Sequence, residues 1–495
     1  MLAWDFLKIV YKEFTSPWVP DDYIKFVDRE REIKIIKPDQ VEEITYDVKG
    51  HYPISLLNDS VKKYENKNSI SNNIKKINHV FHKFNISAIA RGHVETMSSV
   101  KYEVELFEKT TVSQIKNKID DLKLVLDVEN ISFSNSSGYL GLVIGKEDRS
   151  VLSLKEILTS KAYANSPIKY KVALGFDDNN KPVICNLESM ESIMIAGTKG
   201  SGKSSTVHTF ILSLLFALSP SEIQFMFIDT KHTELPKYNG IPHLMCPCVE
   251  NLEEVMSAFA KLEEIMTERN ILIGKHGVSK LSQLNKIEPL PYIVCLIEEY
   301  AMLMNSEYKK DFNRYMKELT AVGRAAGIYI VLVTQNPNSN IIDSTVNANF
   351  TTRIALKVAL QQHSQIILGD SGAEELLGKG DMIYSDESKT IRLQGCYVES
   401  EISRVVSHLK SKECNYIHLD KETVETSRMD SKYEQAKSLV IGKGRASKTM
   451  LRDNLDIGDS RAIKLLEQLK IDGIISKEFD RKLKGYEILR RDEDV

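Results

Sequence analysis

Short apolar runs alternate with longer amphipathic segments between residues 190 and 400. The apolar runs predict buried strands at 192–196, 223–228, 292–297, 328–334 and 352–358. Between the second and third of them, apolar residues recur at the spacing of one helix face: Leu252, Val255, Met256, Phe259, Leu262 and Met266. This alternation predicts a parallel sheet with helices on both faces, which binds ligands at the carboxyl ends of its strands.

The pattern differs on either side of this region. Residues 100–107 alternate like a half-buried strand, residues 112–124 have helical spacing, and residues 177–182 have the composition of a turn between two strands. Residues 411–430 are polar and charged, which is typical of a linker. The segment after the linker predicts three helices and a hairpin, at 433–440, 447–454, 460–470 and 474–489. Residues 1 to about 70 carry no motif that predicts a role.

Composition and charge narrow the class of protein. At 495 residues the chain has room for roughly two to four domains. The net charge is −3, but residues 431–490 contain 14 Lys and Arg against 9 Asp and Glu, so any basic face is local. The longest apolar run, Phe210 to Leu218, is too short to span a bilayer, and we expect no direct membrane insertion. Six scattered cysteines and a start unlike a signal peptide predict a reduced, cytoplasmic chain.

Gly197 to Ser204 has the spacing of a phosphate-binding loop, in which Lys and Ser follow the second of two glycines. A predicted strand precedes the loop and a predicted helix, Ser205 to Leu218, follows it, so backbone N–H groups and the positive helix end point at an anion. We expect Lys203 to contact the β- and γ-phosphates of ATP and the Ser204 hydroxyl to bind Mg²⁺. The full nucleotide-binding set is Gly197, Thr198, Lys199, Gly200, Ser201, Gly202, Lys203, Ser204 and Ser205.

ATP hydrolysis also requires a carboxylate at a strand end. Glu298 and Glu299 follow the third apolar run, and we interpret Glu298 as a Mg²⁺ ligand and Glu299 as the residue that polarises water. Acids at a solvated helix start are the alternative. Gln335 ends the fourth run, where it would sense the γ-phosphate or simply cap the strand. Arg324 or Arg353 would complete a neighbouring subunit's site as an arginine finger, unless both are ordinary surface arginines.

Further strings occur in an order typical of one protein family. They are Phe227-Ile-Asp-Thr-Lys231, Glu234-Leu235, Gly240-Ile-Pro-His-Leu244, Gly323-Arg-Ala-Ala-Gly-Ile328, Thr334-Gln335, Thr352-Arg-Ile-Ala355 and Gly372-Ala-Glu-Glu-Leu-Leu-Gly-Lys-Gly-Asp-Met382. Together with the phosphate loop, they make residues 75–490 resemble the FtsK/SpoIIIE family of hexameric double-stranded DNA translocases. The last string is the most specific of them.

The resemblance implies an α/β fold with three folded parts. A RecA-like P-loop NTPase domain with a parallel sheet would occupy residues 181–410, preceded by a small α+β domain, the FtsK-like α domain, at 75–180. A γ-like winged-helix domain would follow at 431–495, after a linker at 411–430. Residues 1–74 would be an N-terminal region of unknown role.

The resemblance also implies DNA contacts by the γ domain, which reads short DNA sequences in this family. Ser460, Arg461 and Lys464 correspond to its recognition helix and share one helical face, from which they would enter a major groove. Basic residues of the wing would contact phosphates: Lys477, Arg481, Lys482 and Lys484. A protein-binding three-helix module is the alternative for this segment.

Three departures from the family pattern change the expectations. The family usually has Asp where this chain has Glu298, so the side chain is one methylene longer. Neutral amides occupy positions where other members carry basic pore residues, and we expect weaker, less salt-dependent DNA contacts there: Asn336, Asn347, Gln361 and Gln365. The membrane-spanning region of the chromosome-segregating members is missing, so a membrane-bound partner protein or a mobile genetic element would supply the context.

These features predict an ATP-dependent double-stranded DNA translocase that works as a homo-hexamer, uses ATP and Mg²⁺, and serves segregation, conjugation or a mobile element. Two alternatives stay open. The first is an FtsK-like ATPase that moves protein substrates in secretion. The second is a nucleotide-gated DNA-binding adaptor with little turnover.

Overall fold

A computed structural model of the chain describes residues 51–61, 67–107, 110–128, 130–136, 138–146, 150–339, 341–342, 344–410, 414–419, 432–480, 483 and 485–489. Most of the N-terminal region and of the linker lie outside the described residues. Within the described part, no helix combines the length and the apolar character needed to cross a bilayer.

The first folded part is a small α+β unit. Its elements are α1 Lys67–Lys83, β1 Ala88–Glu95, β2 Ser99–Leu106, α2 Val112–Lys116, α3 Ile119–Leu126, β3 Ile131–Ser136 and β4 Tyr139–Gly145. The described strands pair antiparallel in the order β1–β2–β4–β3, and α1 and α3 pack against them through a core that includes Ile77, Phe81 and Leu142. The helix expected at 112–124 is two helices, because Lys118 has a non-helical backbone with φ −110° and ψ 16°.

The second part is built on a mixed sheet of nine described strands. They are β5 Lys171–Asp177, β6 Pro182–Asn186, β7 Ile193–Ala196, β8 Ile223–Asp229, β9 Tyr292–Glu298, β10 Ile328–Thr334, β11 Thr352–Leu356, β12 Asp381–Ser385 and β13 Thr390–Gly395. The parallel portion has the order β11–β7–β10–β9–β8, and β12, β13, β5 and β6 continue it antiparallel from β11.

Both faces of this sheet are buried, which explains the continuous apolar runs of its central strands. In β7, Ile193 and Ile195 belong to the core on one face, whereas Met194 and Ala196 belong to the core on the other. The surrounding helices are α4 Leu154–Leu158, α5 Lys161–Ala164, α6 Lys203–Ala217, α7 Leu252–Lys275, α8 Leu281–Leu284, α9 Tyr300–Met304, α10 Lys309–Val322, α11 Ser344–Asn349, α12 Gln361–Leu368 and α13 Ser400–Leu409. Short 3-10 helices lie at Ile54–Leu56, Leu187–Ser189, Pro236–Tyr238 and Ala373–Glu375.

The five strands expected from the apolar runs are confirmed within two residues at each end, and they are the five parallel ones. The antiparallel extension was not expected. The domain boundary placed at residue 180 falls in the turn between β5 and β6, and both of these strands belong to the large sheet. In that turn the Asp177 carboxylate accepts hydrogen bonds from the backbone N–H groups of Asn179 and Lys181, each at 2.8 Å.

The third part has the three helices and the hairpin expected from the sequence. Its elements are α14 Tyr433–Lys443, α15 Lys448–Leu455, α16 Asp459–Ile471, β14 Ile475–Asp480 and β15 Gly485–Ile488. The hairpin is antiparallel, and Ala446 adds an antiparallel β-bridge to Tyr486 of β15. Leu451, Leu465 and Leu469 are buried between the helices. This order of helices and strands is that of a winged helix.

Candidate nucleotide-binding site

The phosphate loop joins β7 to α6 at the carboxyl end of the parallel strands. Gly200 and Gly202 have φ angles of +80° and +102°, which residues with a Cβ rarely adopt. A Cβ on Gly202 would lie 2.3 Å from the backbone nitrogen of Gly380. Gly380 in turn donates a hydrogen bond of 2.7 Å to the carbonyl of Ser201. The glycine-rich string at 372–382 therefore packs directly on the loop, and side chains are excluded from the contact.

Two neighbouring strands hold the loop in place. The backbone N–H of Gly197 donates to the carbonyl of Thr334 at the end of β10, at 3.2 Å. The backbone N–H and the hydroxyl of Thr198 both donate to the carbonyl of Lys357, just after β11, at 3.0 and 2.9 Å. Because α6 begins at Lys203, the N–H groups of its first turn have no partner within the helix and are available to an anion.

A cavity of about 810 Å³ opens beside the loop. That volume lies in the range of small-molecule and cofactor sites. Its wall contains seven of the nine residues expected to bind nucleotide: Thr198, Lys199, Gly200, Gly202, Lys203, Ser204 and Ser205. Residues from other elements complete the wall, among them Ser98, Leu152, Lys231, Gln335, Lys379 and Tyr397. Gln335 therefore lines the same cavity as the phosphate loop.

Lys203 and Glu298 form a buried ion pair at the floor of the site. Each side chain is only 4% exposed, and the Lys203 ammonium donates to Glu298 Oε1. Burial raises the pKa of Glu298, and the charge of Lys203 opposes that rise. Since β10 separates β9 from the phosphate-loop strand, Glu298 reaches across one strand to meet Lys203. Lys203 of the phosphate loop and Glu298 at the end of β9, which the sequence assigns to separate motifs, are therefore in contact.

Glu299 is held by a different set of groups. Its Oε2 accepts from the Lys231 ammonium at 2.8 Å, and its Oε1 accepts from the Thr334 hydroxyl at 3.1 Å and from the backbone N–H of Gln335 at 3.4 Å. Its backbone is left-handed, with φ +57°, at the junction of β9 and α9. Glu298 and Glu299 thus diverge, each towards its own lysine.

Sequence reasoning missed several residues of this site. Glu234 lines the cavity, and hydrogen bonds from His208, Ser204 and Lys237 hold its pKa well below the usual range. Asp229 accepts backbone N–H groups from the loop that follows β8, those of Lys231, Thr233, Glu234 and Leu235, and so shapes the turn that brings Lys231 to Glu299. Asp229, Lys231 and Glu234 belong to the family strings Phe227 to Lys231 and Glu234-Leu235; the signal available for their role was that they directly follow a buried strand.

The donor set suits magnesium. Ser204 contributes a hydroxyl and Glu298 a carboxylate, and Mg²⁺ prefers oxygen ligands of which only one or two come from protein when phosphates complete the shell. Both residues lie at the same end of the sheet as the phosphate loop. These two residues would hold the ion.

The two arginine-finger candidates have different surroundings. Arg324 is 52% exposed and pairs with Glu191; it precedes β10, at the end of the sheet opposite the cavity. Arg353 is committed within its own chain, because its three guanidinium nitrogens donate to the carbonyls of Phe350, Asn347 and Ile367 at 2.9, 3.0 and 2.6 Å. Burial lowers the pKa of Arg353. It holds α11 and α12 against the sheet.

The residues expected to contact DNA are described only in part. Arg461 lies partly exposed in the first turns of α16, the expected recognition helix. Ser460 and Lys464 belong to the same helix and Lys477 to β14, whereas Arg481, Lys482 and Lys484 lie outside the described residues. Of the neutral residues expected at the pore, Asn336, Gln361 and Gln365 are exposed, and the Asn347 amide donates to the carbonyl of Ile366 at 2.9 Å.

Comparison with known proteins supplies the family. Sequence models of the FtsK alpha domain, the FtsK/SpoIIIE family and the FtsK gamma domain match residues 53–143, 153–286 and 427–484. The DNA translocase FtsK of Clostridium acetobutylicum is 34% identical over 459 residues, which cover 88% of this chain and 59% of that protein. The DNA translocase SpoIIIE of Bacillus subtilis is 32% identical over 433 residues, which cover 83% of this chain and 55% of that protein.

A solved structure of the pCW3 conjugation coupling protein TcpA with ATPγS overlays with a TM-score of 0.49 at 19% identity, over 69% of this chain and 99% of that one. The chain thus spans somewhat more than half the length of the two translocases it matches. The three family matches follow one another in the order alpha domain, FtsK/SpoIIIE family and gamma domain, and the geometry of the phosphate loop and its acidic partners agrees with them. This chain belongs to the FtsK/SpoIIIE family.

Proposed function

We propose that this chain is an ATP-driven translocase of double-stranded DNA that works as a homo-hexameric ring. The observation that carries the proposal is the convergence of Lys203, Glu298 and Glu299 at one end of a parallel sheet, in a chain that also contains a winged helix. The first feature is the apparatus of an ATPase, and the second is a DNA-binding fold. The names of the relatives, DNA translocases FtsK and SpoIIIE, support the same activity.

Each residue of the site has a defined task in ATP hydrolysis. The N–H groups of the phosphate loop and Lys203 bind the β- and γ-phosphates, for which Lys203 exchanges its contact with Glu298. Ser204 and Glu298 hold Mg²⁺, which when bound neutralises phosphate charge. Glu299 accepts the proton of the attacking water, whose oxygen bonds to the γ-phosphorus as the bond to the ADP oxygen breaks. Gln335, in the cavity wall, senses the γ-phosphate.

Arg324 is the better candidate for the arginine finger. A seven-residue strand lies between it and the cavity of its own subunit, a distance of about 20 Å. It can therefore act only on the nucleotide of a neighbouring subunit, which requires an assembled ring. Its exposure and its single exposed ion pair leave it free to change partner at low cost. Arg353, with three backbone carbonyls as acceptors, would have to give up all three.

Steady-state ATP turnover with and without long linear duplex DNA, across a salt series, tests the proposal. We expect turnover to rise several-fold with duplex DNA, and electron microscopy of the same preparation to show rings. Turnover that is unaffected by duplex DNA would contradict the translocase and favour the alternative of a motor for protein substrates. Binding of ATP and DNA without turnover would favour the adaptor.

The γ domain supplies the second part of the proposal, the choice of DNA site. Arg461, with Ser460 and Lys464, would enter the major groove, and the wing residues Lys477, Arg481, Lys482 and Lys484 would contact phosphates. Arg461→Ala should relax sequence preference at one base position, whereas Lys477→Ala should weaken binding to all sequences alike. The two variants are compared by binding to a panel of duplexes at fixed salt concentration.

A further inference from the structure

Glu299 is buried, and the Lys231 ammonium covers one of its two carboxylate oxygens. Its side chain is 4% exposed and does not line the cavity beside the phosphate loop, whereas Lys231 and Gln335 do. Lys231 bonds to Glu299 on one side and forms part of the cavity wall on the other. Lys231 is therefore interposed between the residue expected to activate water and the space that would hold the nucleotide.

The two oxygens of this carboxylate are held in different ways. Oε1 accepts from the Thr334 hydroxyl, which is fully buried at the end of β10, and from a backbone N–H. Oε2 accepts from Lys231, a flexible side chain that is 35% exposed. The groups at Oε1 cannot leave without disturbing the sheet, but the Lys231 ammonium can rotate away. If it does, Oε2 is freed while Oε1 keeps the carboxylate in place.

We propose that Lys231 binds the terminal phosphate of a nucleoside triphosphate and, in doing so, releases Glu299 Oε2 to a water molecule. The inference rests on the ATPase function proposed above and adds a ligand and a switch to it. An ammonium between two acidic partners goes to the one with more charge, and a terminal phosphate carries more charge than a carboxylate. A diphosphate lacks that group, so Lys231 stays on Glu299 when ADP occupies the site.

The local backbone is built for this role. Asp229 fixes the turn after β8 by accepting the N–H groups of Lys231, Thr233, Glu234 and Leu235, so the Lys231 backbone is rigid while its side chain is free to pivot. The Lys231 ammonium lies on Glu299, and Lys231 is also part of the cavity wall, so the movement needed is a change of rotamer. Because Lys231 can donate either to Glu299 or to the terminal phosphate, Glu299 is released only when that phosphate is present.

Equilibrium binding of fluorescent ADP and fluorescent ATPγS to the full chain tests the inference. Lys231→Met should weaken ATPγS binding by about ten- to a hundredfold, the usual effect of losing a charge-assisted hydrogen bond, and change ADP binding by about twofold at most. The matched control is Lys261→Met on α7: Lys261 is 32% exposed and its ion pair with Glu264 is also 2.8 Å long. Lys261→Met should change neither affinity.

A second variant tests the competition itself. Glu299→Gln leaves Lys231 with a neutral amide, so ATPγS binding should tighten, and Lys231→Met in the same chain should abolish that gain. Equal losses for both nucleotides in Lys231→Met, or unchanged ATPγS affinity in Glu299→Gln, would overturn the switch. If the wild-type chain binds and hydrolyses ATP, and Lys231→Met has the same ratio of ATPγS affinity to ADP affinity as the wild type, only this inference fails. If the wild type binds neither nucleotide, the ATPase proposal fails with it.

Discussion

Replacing Lys203 by Met should destabilise the large sheet domain even without nucleotide. Both partners of the Lys203–Glu298 pair are 4% exposed, so the substitution would leave a carboxylate buried without a counter-charge. Removing one partner of such a pair costs about 3–5 kcal/mol. For a domain of 150–250 residues, each kcal/mol lowers Tm by about 2–4 °C, so the expected loss is about 6–20 °C.

Thermal unfolding of four proteins measures this effect: wild type, Lys203→Met, the double variant Lys203→Met with Glu298→Met, and Lys261→Met. The double variant should regain most of the loss, because two apolar side chains of similar volume replace a buried ion pair at little cost. Lys261→Met removes an exposed ion pair and should lower the unfolding free energy by about 1 kcal/mol at most. A Lys203→Met protein within about 2 °C of wild type, or a double variant no more stable than the single one, would refute the reasoning.

Further predictions concern other parts of the chain. Asp229→Ala should cost several kcal/mol, about 1–3 for each backbone N–H group left without an acceptor, and chemical denaturation measures it. Arg353→Met should lower the free energy of unfolding by several kcal/mol, because three hydrogen bonds are lost. Arg324→Ala should lower it by about 1 kcal/mol or less, yet reduce ATP turnover in assembled rings by about a thousandfold. Equal losses of unfolding free energy in the two variants would contradict this difference. Truncation after residue 425 should abolish most DNA binding, and Asn336→Lys should steepen the salt dependence of the DNA affinity that the truncated chain retains. Fluorescence anisotropy measures both. Full DNA affinity in the truncated chain would be inconsistent with the γ domain as the main binding site.

Local patterns in the sequence were enough to predict the parallel strands, the phosphate loop, and the three helices and hairpin of the third part, whereas the winged helix itself was implied by the family resemblance. Each of these depends on residues close together in the chain: a run of apolar residues between turns, or Gly202, Lys203 and Ser204 at fixed spacing. The acids at 298 and 299 were found for the same reason, since they directly follow an apolar run.

What the sequence could not predict depends on contacts between distant segments. Strand β13 pairs with β5 more than 200 residues earlier, and nothing in either strand specifies that partner. Lys231 meets Glu299 across 68 residues, and Arg353 reads as a surface arginine until its carbonyl acceptors are placed around it. Residue types identified the chemistry of the site, but the pairing of each lysine with its acid came from the fold.

Residues 414–419 attach the start of the predicted linker to the large sheet domain: the Tyr416 hydroxyl accepts from the backbone N–H of Gly240 at 2.8 Å, and the Ile417 N–H donates to the carbonyl of Met245 at 2.7 Å. Ile417 and Leu419 also pack on one of its two cores. The linker before the winged helix is therefore shorter than the polar composition of residues 411–430 suggests. From Leu419 to Lys432 the chain can reach about 45 Å when fully extended, so in the proposed ring a DNA-binding winged helix would reach only the stretch of duplex nearest its own subunit.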